Sequence, residues 1–266
     1  MIGGLILITV LAWIYLFAGA GTGMSLWAMS RLGLSPGIPD GGHASMAMQH
    51  VAGPAGWTAI YWILMVLMWW IMMIAMMVPS AAPTILLYAR AHRHGQNKGR
   101  LAPGAVPASV FAAGYLAAWL GFSILATVLQ YMLVQTDLLS GRMMWSLDPW
   151  LSSAVLLAAG VYQLTPLKQT CLRHCRQPAA FLAGHWRAGR WGAFVMGCDA
   201  GAFCVMCCWA LMALLFVGGI MNVLWIAGLT IFVLIEKVLP KGEWFARAAG
   251  VACLLAGSWV VAGAVT

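Results

Sequence analysis

Charged positions are so sparse along this chain that they divide it into long apolar windows. No Asp, Glu, Lys or Arg occurs in residues 1–30, 41–89, 101–136, 149–167, 200–235 or 248–266. A helix crossing the hydrocarbon core of a bilayer takes about 20 apolar residues, so each window holds at least one span. The pattern predicts about seven helices, over roughly 4–28, 57–80, 107–134, 149–168, 191–217, 220–238 and 244–264. Helices are expected because backbone amides in lipid must be satisfied within the segment, and these runs are too long and continuous for barrel strands. The expected fold class is all-α: a polytopic transmembrane helical bundle forming a single domain over residues 1–266. The first span has no basic leader and stays apolar after Ala18-Gly19-Ala20, so a retained helix is expected over a cleaved signal peptide.

The few charges carry an orientation. Arg90, Arg93, Lys98 and Arg100 follow the second predicted helix; Lys168, Arg173, Arg176, Arg187 and Arg190 lie between the fourth and fifth; Lys237, Lys241 and Arg247 lie between the sixth and seventh. Only Arg31 and Arg142 fall on the opposite side. The positive-inside rule then places the N-terminus inside, the segment 31–56 in an outer loop and 169–190 in an inner basic loop, as in a multi-pass membrane protein. The formal net charge of +8 is thus a topology signal, the bilayer is the expected partner, and no nucleic acid is expected. Composition agrees: 8% charged and 63% hydrophobic residues exclude a large soluble enzyme, a disordered tail and a secreted disulfide scaffold.

What the membrane alone does not require is 18 Met and 7 Cys, and these fall in clusters. His43, Met46, Met48 and His50 form an H-x-x-M-x-M-x-H pattern in the predicted outer loop. Imidazole with thioether and without carboxylate suits copper, since thioether sulfur is a poor ligand for hard cations. The same loop also reads as a glycine-rich segment whose methionines touch the membrane surface. On the second helix, among Met65, Met68, Met72, Met73, Met76 and Met77, the set Met65, Met68, Met72 and Met76 falls on one stripe. That stripe is either adaptable packing or a thioether ladder for a soft cation, and spacing leaves both open. On the fifth helix, Cys204, Cys207 and Cys208 share one side, with Cys198 and Asp199 one to two turns earlier. An Asp at such depth is expected to face a cavity or a partner. Finally, Cys171 and Cys175 share a face if the fourth helix continues past Pro166, with His174 close by and Arg173 and Arg176 beside them. Two inert cysteines at a basic helix end fit that stretch equally well.

Several of these stretches carry a family resemblance. Met68-Trp69 through Met72 to Ala75-Met76-Met77-Val78-Pro79, then Tyr162-Gln163-x-Thr165-Pro166-Leu167-Lys168-x-x-Cys171-Leu172, then Gly197 to Cys208-Trp209-x-Leu211-Met212, and Glu236-Lys237, resemble a bacterial family of predicted metal-binding integral membrane proteins with a domain of unknown function. The resemblance covers about residues 57–245 and implies a polytopic inner-membrane protein with metal ligands and no established reaction. The family pattern has Gly where this chain has Met206, a departure expected to add a sulfur to the cysteine patch.

No enzyme apparatus is visible. All six histidines are expected in loops, which leaves no intramembrane pair for haem or for a histidine-rich iron site. There is no Walker motif and no G-x-S-x-G elbow. The leading expectation is a copper-binding protein, which captures copper at the outer loop and holds or passes Cu(I) along the helix-two methionines, then Cys204, Cys207 and Cys208 with Asp199, then Cys171 and Cys175. Two alternatives stand beside it: a structural or assembly subunit working with a membrane or periplasmic protein partner, and a membrane thiol-disulfide oxidoreductase.

Overall fold

The computed structural model describes residues 2–19, 57–97, 108–136, 138–139, 146 and 148–265. Among these, regular structure is helical, with one isolated bridge between Leu139 and Ser146. The helices are α1 (Ile2–Phe17), α2 (Ala59–Asn97), α3 (Ala108–Gln135), α4 (Pro149–Leu164), α5 (Pro166–Arg176), α6 (Pro178–Gly184), α7 (Gly189–Ala213), α8 (Leu215–Gly218), α9 (Val223–Val238) and α10 (Gly242–Val265).

Four stretches are long and apolar enough to cross a membrane: Ala59–Gly95, Ala108–Gln135, Gly189–Gly218 and Gly242–Ala264. The pair α4 and α5 passes the same test together but is bent by 66° at its break. Among the described residues, then, four of the seven expected spans pass by length and composition, or five with the bent pair; α9 is only 16 residues long, and the first expected span runs beyond the described residues after α1. Apolar residues cover the outside as well as the core, with Leu125 70% and Trp259 81% exposed, as suits helices whose outer faces meet hydrocarbon.

The second helix does not stop near residue 80. It runs on through Pro79 and Pro83 to Asn97, carrying Arg90, His92, Arg93 and His94 with it. Proline removes a backbone donor, a loss tolerated inside an apolar bundle where neighbouring groups and local adjustment satisfy the backbone; next to Pro79, Ser80 Oγ donates to Met77 O at 2.9 Å. At 1.5 Å per residue α2 reaches about 58 Å, well past a hydrocarbon thickness of about 30 Å.

The fourth helix ends where Pro166 could only begin a new one. Thr165 sits extended between the two helices, accepting from Lys168 N at 3.3 Å as the cap of α5 and donating to Tyr162 O at 2.7 Å. The expected inner loop 169–190 is accordingly mostly helical, as α5 and α6. The expectation that every histidine lies in a loop is corrected too: His92 and His94 belong to α2 and His174 to α5.

Glycines set the closest helix crossings. A Cβ placed on Gly114 of α3 would lie 2.1 Å from Phe194 O of α7, and one on Gly197 would lie 2.0 Å from Phe111 O. Gly201, one turn on, faces Ala118 and Tyr115, so a small-xxx-small stripe lets α7 approach α3 backbone to backbone. Gly160 and Gly250 do the same for α4 against α10. Helix α9 then packs on α2 and α10 and also touches α5 and α7.

Candidate metal centre

Because Gly197 and Gly201 turn one side of α7 onto α3, the side carrying Cys204, Cys207 and Cys208 is committed to the interior. The three are 3%, 1% and 0% exposed. Cys207 Sγ lies 3.2 Å from Cys208 Sγ and 3.8 Å from Cys175 Sγ on α5. The bend at Thr165 is what brings Cys175 there, since it turns α5 across the end of α7. Two thiolates bound to one ion at about 2.3 Å in a tetrahedral site stand about 3.8 Å apart. The Cys175–Cys207 pair has that spacing, while Cys207 and Cys208 stand closer, as thiols in mutual contact.

Around Cys204 the polar partners converge from three further helices. Lys237 of α9, itself 7% exposed, donates from Nζ to Cys204 Sγ at 2.9 Å and to Ser80 Oγ at 3.2 Å. Its third neighbour is Met77 Sδ at 3.9 Å. Tyr115 OH of α3 stands 3.0 Å from Cys204 Sγ and 3.5 Å from Met77 O. Beside this lies a fully buried ion pair, Lys168 Nζ to Glu236 Oε1 at 2.7 Å. Two lysines and one carboxylate leave one positive charge in the interior, and Lys237 sets it against the sulfur of Cys204.

A cavity of ≈ 30 Å³ opens between these groups, bounded among others by Tyr115, His174, Cys175, Cys204 and Lys237. That is room for one ion or a water molecule or two, and too little for an organic substrate. Among the described residues, no three His, Cys, Asp or Glu side chains already converge as a metal-holding group. The donors are nonetheless soft thiols without a carboxylate within the cluster, a set matched to Cu(I).

Other residues singled out by pattern lie elsewhere. Cys171 is buried on α5 and Cys198 half-buried on α7, and among the described residues no sulfur contact joins either to the cluster. Asp199 is drawn away from the thiols, in an ion pair with Arg187 at 3.5 Å whose side chains are 33% and 53% exposed. Met206 is corrected: it is 42% exposed, on the far side of α7, and adds no sulfur; its carbonyl accepts from Tyr162 OH instead. Met65, Met68, Met72 and Met76 are all buried, at 4%, 1%, 1% and 1%. Met65 Sδ accepts from Gln130 Nε2 at 3.8 Å, and Gln130 Oε1 accepts from Trp69 Nε1 at 2.7 Å, so that end of the stripe is packed into a polar contact of its own. The methionine that reaches the centre is Met77, outside the stripe. His43, Met46, Met48 and His50 lie outside the described residues.

As a site residue, Lys237 stands in the sequence only as part of the Glu236-Lys237 motif, and Tyr115 and Ser80 carry no such signal there. Lys168 and Lys237 are among the basic residues expected between helices, and both are buried. Their signal was present in Glu236-Lys237 directly after the charge-free run 200–235, since ionisable residues at the end of such a run are expensive unless paired or used.

No curated protein and no solved structure matches the chain. A family model does: that of PpoB2, described as a copper chaperone, over residues 66–260. The matched stretch begins within α2 and ends within α10, so it takes in every helix that contributes to the thiol cluster and leaves out the segment with His43 and His50. A copper family spanning a soft, carboxylate-free donor set and most of the sequence leads to one conclusion: this chain belongs to the PpoB2 copper chaperone family.

Proposed function

We propose that this protein is a membrane-embedded copper chaperone that holds Cu(I) at Cys175, Cys204, Cys207 and Cys208 and passes it to a client protein in the membrane. The observation that carries the reading is the run of thiol contacts from Cys175 on α5 to Cys207 and Cys208 on α7, with the neighbouring Cys204 sulfur held against the Lys237 ammonium. Two thiolates on Cu(I) make an anionic complex, and an unbalanced charge in an apolar interior is costly. Lys237 supplies the opposite charge, and copper, the cargo, needs no further counter-ion. The His43, Met46, Met48 and His50 loop is the proposed capture element on the outer side, with the N-terminus inside, and weak successive sites suit an ion that must leave again.

Metal analysis of the purified full-length protein tests this. After loading with Cu(I) under reducing conditions and removal of excess, the wild type is expected to retain copper. The variant with Cys204→Ser, Cys207→Ser and Cys208→Ser, checked for folding by its helical signal and elution as a single species, is expected to retain none at the cluster. Unchanged copper in that variant would overturn the assignment.

A further inference from the structure

The thiol cluster is closed on most sides, and the half-buried pair His174 and Cys175 forms its outer end. His174 is held from two sides. Its ring lies parallel to Phe203 of α7 with centroids 4.4 Å apart. Its Nδ1 lies 2.9 Å from Thr170 O, one turn back on α5. A carbonyl oxygen can only accept, so in neutral imidazole Nδ1 carries the hydrogen and Nε2 keeps its lone pair. That is the arrangement metal-binding histidines use, with one ring nitrogen anchored to a carbonyl and the other left to the ion. The same residue lines the cavity that Cys175, Cys204 and Lys237 share.

We infer that His174 is a copper(I) ligand at the mouth of the cluster, acting with Cys175 as the transfer pair through which the ion passes between Cys207 and the client. The inference rests on the copper reading above and adds a residue to it. The step is ligand exchange: a bond from Cu(I) to His174 Nε2 forms as the bond to Cys207 breaks, the Cys207 sulfur keeps the electron pair and takes a proton from solvent at the mouth, and copper stays monovalent throughout. Cys175 lies 3.8 Å from Cys207, so it can remain bound during the exchange. Imidazole at this position suits a mouth ligand because it binds Cu(I) without adding a negative charge that would hold the ion back.

The test compares Cu(I) retention with Cu(I) transfer in the full-length protein. His174→Phe keeps a flat ring to stack on Phe203 and removes the lone pair. Its transfer of bound copper to a water-soluble Cu(I) chelator, measured per ion loaded, is expected to slow by about tenfold or more. His174→Met, which returns a soft donor without the ring, is expected to recover much of that rate, an outcome a merely structural role would not produce. X-ray absorption of the loaded wild type under chelator challenge is expected to show a nitrogen donor that His174→Phe lacks. Transfer at the wild-type rate in His174→Phe would overturn the inference and leave the thiol site standing. Absence of copper from the wild type would instead overturn the reading beneath it.

Discussion

Replacing Glu236 with Leu is expected to destabilise the fold by about 3–5 kcal/mol, because it leaves the Lys168 ammonium buried with no opposite charge. Both side chains of this pair are 0% exposed, and their charged atoms have no hydrogen-bond partner to fall back on among the described residues. The pair also ties α5 to α9, the two helices that present Cys175 and Lys237 to the cluster, and Arg176 adds contacts to the carbonyls of Leu239 and Pro240 nearby. Loss of the carboxylate should therefore weaken copper retention together with stability. The double variant Lys168→Met with Glu236→Leu removes both charges and is expected to recover most of the lost stability, since a buried ion pair and a packed apolar pair are often close in free energy. Unfolding of the detergent-solubilised protein by a denaturing detergent reads the difference. A single variant as stable as the wild type would show that the pair is not held as buried charges.

The second large effect lies at the crossing of α3 and α7. Gly197→Leu places a side chain where even its first carbon meets the Phe111 carbonyl at 2.0 Å, and a backbone atom cannot rotate aside. The helices must separate, so the loss is expected at or above about 3 kcal/mol, the upper end for overpacking. Separation also carries Tyr115 away from Cys204, so copper retention should fall with stability. Gly121→Ala, on the same α3 but with nothing within 4 Å of the added carbon, is the control, expected within about 1 kcal/mol of the wild type. Equal behaviour of the two variants would contradict the backbone contact at this crossing.

The helix class was legible because lipid-facing segments need unbroken apolar length, and nothing else in the sequence competes with that signal. Boundaries were less so. Pro79 looked like a stop, yet α2 continues, because packing within an apolar bundle outweighs the loss of single backbone hydrogen bonds. The cysteine patch on α7 was legible from i, i+3 and i+4 spacing alone, whereas Cys198 and Asp199, next to it in sequence, point elsewhere. Helical neighbourhood in sequence does not fix which face a residue takes once a glycine stripe has chosen the side that meets α3.

By itself, the sequence determined an all-α, membrane-type chain rich in soft donors, since hydropathy and residue chemistry are local properties that need no partner element. Which donors meet was decided only by tertiary structure. Cys175 reaches Cys207 across 32 positions through the bend at Thr165, and Lys237 reaches Cys204 across 33 because α9 packs into the same interior. No periodicity along one helix contains those distances, for they depend on how the separate helices cross.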